Sequence, residues 1–137
     1  MNERDVKRLS EHLGRYPVIA AYIFGSEAKG KAGVLSDIDV AVLVDKRIAN
    51  AERFDLKLRL SGELSAILNR LVDIVMLNDS PIQLSYEIIK HGHPIFCSDI
   101  SVKVEVETNI LSKYLDRRFY DKRHAEITLK KIAARGL

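Results

Sequence analysis

Two aspartates and a glycine–serine pair are the residues whose types and spacing could support catalysis. Asp37 and Asp39 stand two positions apart among apolar residues, so a β-strand would direct both carboxylates to one face. Adjacent carboxylates repel each other, and a divalent cation between them removes that repulsion. Gly25-Ser26, separated from Asp37 by ten residues, offers backbone N–H groups and a hydroxyl in a tight turn, which suits a phosphate. Together these residues predict metal-dependent chemistry on a nucleotide.

Three apolar segments of strand length must position these residues. Residues 17–24 end at the glycine–serine pair, residues 38–44 begin after Asp37, and residues 71–77 form a third run. Their length and apolar content predict three β-strands.

The third run contains one charged residue, Asp73. A carboxylate inside an apolar strand costs free energy unless it is paired. Two interpretations explain it: a salt bridge to a lysine or arginine, or a third carboxylate beside Asp37 and Asp39 on a neighbouring strand.

Periodic apolar residues predict helices between and after the strands. The predicted helices cover residues 2–13, about 49–70, 80–91 and about 99–134. Asn2 is the predicted N-cap of the first helix, and Ser80 with Gln83 predicts a capping box at the third. Pro94 predicts that a short strand at 93–98 lies at a sheet edge.

The last predicted helix combines an apolar stripe with many charges. Its stripe consists of Ile110, Leu111, Tyr114, Leu115 and Phe119, at helical spacing. Residues 113–131 hold seven Lys or Arg against three acidic residues, and a solvated helical face explains most of these charges. Valines at 102, 104 and 106 alternate as in a strand, which leaves the start of the helix open.

Length and composition predict one domain spanning residues 1–137, with 99–137 as a C-terminal helical segment. The chain has 137 residues, of which 47% are hydrophobic and 30% charged. It contains no apolar run of membrane-spanning length and no signal-peptide pattern, and its one cysteine excludes an internal disulfide. We therefore expect a cytoplasmic protein that does not enter membranes. A net charge of only +3 argues against a nucleic-acid-binding protein.

The joint pattern of strand, Gly25-Ser26, loop, Asp37-Ile38-Asp39 and second strand resembles the signature of the DNA polymerase β-like nucleotidyltransferase superfamily. Within it, the short chain is similar to the minimal nucleotidyltransferases (MNT), the antitoxin partners of HEPN-domain toxins. Three later segments also resemble MNT sequences, namely the third strand through Asn78, the helix end from Ile88 to Gly92, and Tyr114-Leu115-Asp116. The resemblance therefore covers nearly the whole chain.

The resemblance implies an α/β (α+β) fold with a polymerase β-like core. A small mixed β-sheet would carry the carboxylates on one face, with helices packed behind it. The resemblance also implies a two-metal site, in which Asp37 and Asp39 bind Mg²⁺ and Asp73 supplies the third carboxylate.

The loop after the first strand carries the phosphate-binding residues that the resemblance implies. Gly25 and Ser26 would hold the β- and γ-phosphates of ATP, and Lys29 would add positive charge. Many MNT sequences resemble Gly-Ser-Arg-x-Arg-Gly here, whereas this chain has Gly-Ser-Glu-Ala-Lys-Gly. Glu27 therefore places an anion beside the triphosphate, and Lys29 lacks the bidentate fork of arginine.

The resemblance implies an adenylyltransferase antitoxin, which transfers AMP from ATP to a tyrosine of a partner HEPN ribonuclease toxin and neutralises it. It also implies an oligomer, of this chain alone or with the toxin, in which the charged C-terminal helix packs on a partner subunit. Two alternatives stay open. One is a contact-only antitoxin with a degraded nucleotide site, which Glu27 favours; the other is a small-molecule nucleotidyltransferase similar to the aminoglycoside-modifying enzymes.

Overall fold

The computed structural model describes residues 1–25 and 37–134, and its helices and strands follow the predicted order. These elements are α1 (Glu3–Leu13), β1 (Val18–Phe24), β2 (Ile38–Val44), α2 (Asn50–Leu68), β3 (Val72–Met76), α3 (Ile82–His91), β4 (His93–Cys97) and α4 (Ile100–Ala134). A short 3₁₀ turn, Leu77–Asp79, joins β3 to α3. Strand β2 has the predicted bounds, and the bounds of the other strands and of the helices agree with prediction within two residues.

The four strands form one mixed sheet in the order β3-β2-β1-β4. Strand β1 pairs antiparallel with β2 and with β4, whereas β2 and β3 are parallel. The parallel pair requires a crossover, which α2 provides. Strand β4, which contains Pro94, lies at an edge as predicted. The predicted small mixed sheet is therefore confirmed.

The two faces of the sheet pack on different helices. One face packs on α1 and α2, and its fully buried side chains include Leu9, Leu13, Ile38, Val40, Val42, Leu60, Leu64 and Val72. On the other face, Ala41 and Leu43 of β2 pack with Ile88 of α3 and Ile110 of α4. Because side chains alternate along a strand, Asp39 belongs to this second face. The sequence predicted helices on the sheet face opposite the carboxylates. That prediction is incomplete, since α3 and α4 cover part of the face that carries the carboxylates.

The two helices on the first face are tied together by polar contacts. Asn2 caps α1 as predicted, with its side chain accepting the N–H of Asp5 at 2.8 Å. At the other end of α1, Glu63 of α2 accepts a hydrogen bond from the Tyr16 hydroxyl at 2.7 Å and lies 3.0 Å from Nε2 of His12. The contacts of Glu63 join the C-terminal end of α1 to α2.

The start of α3 differs from prediction. Pro81 is the N-cap, and no side-chain hydrogen bond caps the helix. The Ser80 hydroxyl instead donates to the Leu77 carbonyl at 3.1 Å and contacts the hydroxyl of Ser85. The predicted capping box is wrong, because the Ser80 hydroxyl is bonded to the Leu77 carbonyl of the preceding 3₁₀ turn and does not cap α3.

The long helix α4 begins at Ile100 despite the alternating valines. Of its predicted apolar stripe, Ile110 is buried, whereas Leu111, Leu115 and Phe119 are exposed to 42%, 52% and 67%. Packing on α3 and β1 thus involves only the first part of the helix. Among the described residues, no helix has both the length and the apolar character needed to span a membrane.

Candidate active site

The parallel pairing of β2 and β3 brings two predicted site residues together. Asp39 and Asp73 are direct partners in the strand register, so both side chains leave the same face of the sheet. Asp37 immediately precedes β2 and stands two residues from Asp39, and its charge acts on that of Asp39. All three predicted carboxylates therefore lie at the same end of neighbouring strands.

Asp73 occupies the predicted position for a different reason from the one the sequence suggested. The residue is exposed in the burial pattern of β3, so its charge carries no large desolvation cost. Its carboxylate makes no ion pair with another described residue, which leaves the salt-bridge interpretation without support there. The position of Asp73 beside Asp39 is therefore fixed by strand register and not by burial.

The electrostatics of the cluster centre on Asp39. Partial burial raises the pKa of the Asp39 carboxyl, and the negative charges of Asp73 and Asp37 raise it further. The cause is that both desolvation and neighbouring anions disfavour the ionised form. A cation among the three side chains would remove the second effect.

Gly25 approaches the same carboxylate from β1. Phe24, the last residue of β1, pairs with Asp39, and Gly25 follows it with a φ of +74°. A Cβ on Gly25 would lie 2.4 Å from Oδ2 of Asp39, which is closer than any van der Waals contact allows. Glycine is therefore required both by the backbone conformation and by the proximity of the carboxylate.

The remaining phosphate-loop residues, Ser26, Glu27 and Lys29, lie outside the described residues. Their predicted roles stay predictions. Gly25 is the part of the predicted phosphate cradle that the structure describes.

The donor atoms of this cluster suit magnesium, which prefers carboxylate oxygens and keeps water and phosphate oxygens as further ligands. In the described ranges, however, no three His, Cys, Asp or Glu side chains are grouped closely enough to hold a metal ion. Asp37, Asp39 and Asp73 are the residues that could hold the ion, because Asp39 and Asp73 share a face and Asp37 stands at the same end of the sheet. Gly25 has no Cβ that would displace the Asp39 carboxylate.

A buried polar contact near the site was not anticipated from the sequence. Tyr22 is 1% exposed and its hydroxyl donates to Oε1 of Glu107 at 2.6 Å, which lies 2.8 Å from Nζ of Lys103. Burial, and then the hydrogen bond to Glu107, raises the pKa of the Tyr22 hydroxyl. These contacts anchor α4 to the strand that leads to Gly25. The signal in the sequence was a tyrosine within an apolar strand, because a buried hydroxyl needs a partner.

The solved structures most relevant to this site are toxin–antitoxin complexes. A chain of a toxin–antitoxin crystal structure with AMP-PNP is 25% identical, with a TM-score of 0.67 over 93% of this chain and 96% of the other. A chain of the MntA–HepT toxin–antitoxin pair is 20% identical, with a TM-score of 0.67 over 92% and 96%. A chain from the complex of tri-AMPylated Shewanella oneidensis HEPN toxin with MNT antitoxin is 22% identical, with a TM-score of 0.66 over 93% and 96%. The last two chains are less than 25% identical to this one, so their similarity establishes only the fold.

No curated protein sequence matches the chain, but a family profile does. The family profile described as "Polymerase beta, Nucleotidyltransferase" matches residues 7–101, which is more than half of the chain and includes β1, β2 and β3. The chain therefore belongs to the polymerase β nucleotidyltransferase family.

Proposed function

We propose that this protein is a Mg²⁺-dependent adenylyltransferase antitoxin, which transfers AMP from ATP to a tyrosine hydroxyl of a partner HEPN ribonuclease toxin. The observation that carries the proposal is the register pairing of Asp39 with Asp73, with Asp37 two residues away. A protein that acted only by contact would have no need of three carboxylates at one end of its sheet.

The similar structures supply the nucleotide and the acceptor. The 25% identical chain comes from a toxin–antitoxin structure with AMP-PNP, an ATP analogue. Another similar chain comes from a complex whose HEPN toxin is tri-AMPylated. The first supports an adenylyl donor for this chain, and the second supports AMP transfer to a HEPN-domain acceptor.

The transfer is a displacement at the α-phosphorus of ATP. The tyrosine oxygen forms a bond to that phosphorus, the bond from phosphorus to the α,β-bridging oxygen breaks, and pyrophosphate leaves with the electron pair. The phenolic proton passes to a base. Asp73 is more exposed than Asp39, the other carboxylate that lies within a strand. We propose that Asp73 faces the acceptor and is the candidate for that base.

The remaining residues bind and orient the nucleotide. Asp37 and Asp39 would hold magnesium, which neutralises triphosphate charge and supports the leaving pyrophosphate. Asp73 would either complete this metal site or serve as the base. Gly25 allows the backbone to pass beside Asp39, and we propose that Ser26 and Lys29 contact the β- and γ-phosphates. This arrangement would place the α-phosphate between the glycine turn and β3.

Labelled ATP tests the proposal directly. The purified protein is incubated with Mg²⁺, ATP labelled at the α-phosphate and a co-purified HEPN-domain protein, and label on the HEPN protein is measured. Asp39→Asn and Asp73→Asn should each lower the transfer rate by at least about 100-fold. Asp55→Asn, which removes an exposed carboxylate from α2, is the matched control and should leave the rate unchanged.

Two outcomes would overturn the proposal. Transfer that persists in Asp39→Asn would remove the carboxylates from the mechanism. A protein that binds and neutralises the toxin without labelling it would be a contact-only antitoxin, the alternative that Glu27 favours.

A further inference from the structure

A cavity of about 440 Å³ lies along β3, outside the carboxylate cluster. Phe54 and Lys57 of α2 form one side, Val75 contributes from β3, and Pro81 with Leu84 at the start of α3 forms the other side. None of these residues has a role in the nucleotide chemistry described above.

One end of the cavity is closed by an ion pair. Arg53 donates from Nε and from a terminal nitrogen to the two carboxylate oxygens of Asp79, at 2.9 and 2.7 Å. A third nitrogen of Arg53 donates to the Ile48 carbonyl at 2.6 Å. Only 13% of the Arg53 side chain is exposed, and its charge is paired with that of Asp79, so this end offers no free cation to a ligand.

Towards its N-terminal end, β3 leads from the cavity to the carboxylate cluster. Val75 stands two residues after Asp73 on the same strand, so both side chains leave the same face, about 7 Å apart along the strand. A chain whose hydroxyl lay beside Asp73 could therefore place a neighbouring side chain against Val75. The cavity lining therefore comes within about 7 Å of Asp73 along β3, at Val75.

The lining of the cavity defines what it would bind. Phe54 is 60% exposed, whereas Leu60 and Leu64 of the same helix are fully buried. Lys57 also lines the cavity and makes no ion pair with a described carboxylate. An exposed aromatic ring beside an unpaired ammonium group suits an apolar side chain accompanied by an acidic one.

We propose that this cavity is the acceptor groove of the enzyme: it binds the segment of the acceptor protein that flanks the modified hydroxyl. An apolar side chain of that segment packs on Phe54, Val75 and Leu84, and an acidic group pairs with Lys57. The inference rests on the proposed function and adds to it the residues that select the acceptor. Phe54 and Lys57 are positioning residues, because they touch the acceptor protein away from the reacting atoms.

Steady-state kinetics with a matched pair of variants tests the groove. Phe54 and Leu58 stand one helical turn apart on α2 and are exposed to 60% and 57%, but only Phe54 lines the cavity. With the HEPN-domain protein as the varied substrate, Phe54→Ala and Lys57→Ala should each raise KM about tenfold. Leu58→Ala should leave KM within about twofold. The Kd for ATP should be unchanged in all three variants, since the groove does not contact the nucleotide.

Photo-crosslinking locates the contact. A benzophenone side chain introduced at position 54 should crosslink to HEPN peptides within a few residues of the labelled tyrosine, and one at position 58 should not. Equal KM values for Phe54→Ala and Leu58→Ala, or crosslinks from position 54 only to distant peptides, would overturn the groove while leaving adenylylation intact. Absence of labelling by the unsubstituted protein would overturn adenylylation and, with it, the acceptor groove.

Discussion

Gly25 lies directly against the carboxylate of Asp39, so that a methyl group on Gly25 would come within 2.4 Å of Oδ2. The contact joins the end of β1 to the start of β2 across a register pair, Phe24 with Asp39. Gly25 thus constrains the position of Asp39, in addition to the phosphate-binding role that we propose for the Gly25-Ser26 pair. Its substitution should affect catalysis even if the loop keeps its conformation.

Gly25→Ala should therefore damage both stability and transfer. The positive φ of Gly25 disfavours any side chain, and we expect a loss of about 1–2 kcal/mol in the free energy of unfolding. Displacement of the Asp39 carboxylate should lower the rate of AMP transfer about 100-fold. Urea denaturation and the labelled-ATP assay measure the two effects.

Gly62→Ala is the control for this substitution. Gly62 stands inside α2, and a Cβ there would meet no atom within 4 Å. Alanine in a helix interior is more favourable than glycine, so stability should rise by about 0.5–1 kcal/mol with no change in transfer. A Gly25→Ala protein that keeps full activity would show that Asp39 has room to move.

The contact between α1 and α2 makes stability depend on pH. Hydrogen bonds from Tyr16 and then His12 lower the pKa of Glu63, and the charges of His12 and Arg59 lower it further. A lowered folded-state pKa means that the contribution of Glu63 is complete above the unfolded value of about 4.3. This contribution to the free energy of unfolding is lost as the pH falls through the lower pKa that Glu63 has in the folded state.

Glu63→Gln should accordingly destabilise the protein at pH 7 and much less at pH 3. The side chain is 35% exposed, so solvent screening limits the expected loss at pH 7 to about 1 kcal/mol. Urea denaturation at pH 7, 5 and 3 measures the difference from the unsubstituted protein. Asp55→Asn, on the exposed side of the same helix, should show no such trend. A difference that stayed constant down to pH 3 would contradict the assigned cause.

The sequence predicts this fold well where local patterns decide. The apolar run after Asp37, interrupted only by Asp39, placed β2 correctly, and its residues from Val40 onward are buried on both faces. Burial was a poor guide at Asp73, because β3 is an edge strand and its second face is open there. No local pattern could reveal that Asp39 and Asp73 are register partners, since pairing depends on how α2 returns the chain to the sheet.

The same limit explains two other differences. The valines near the start of α4 alternate as in a strand, but Val106 packs on the α3–α4 face of the sheet as part of a helix. Ser80 has the residue type of an N-cap, yet the 3₁₀ turn before it sets the direction of its hydroxyl. At α4, tertiary packing overrides a weak strand preference. At Ser80, a local hydrogen bond to the Leu77 carbonyl competes with helix capping.

The exposed stripe on α4 should be part of the surface that binds the partner protein. Leu115 and Phe119 are 52% and 67% exposed and stand one helical turn apart, beyond the part of α4 that packs on the sheet. Leu115→Ser and Phe119→Ser should each weaken binding of the HEPN-domain protein about tenfold. The free energy of unfolding of the isolated chain should change by less than about 0.5 kcal/mol, because neither side chain is buried in it.

Tyr120→Ser is the matched control for the stripe. Tyr120 is 68% exposed and follows Phe119 directly, so it projects about 100° further around the helix. Titration calorimetry with the HEPN-domain protein compares the three variants. If Tyr120→Ser weakened binding as much as Phe119→Ser, the partner would contact a different face of α4. If Leu115→Ser destabilised the isolated chain by more than about 1 kcal/mol, the stripe would instead be packed within this protein.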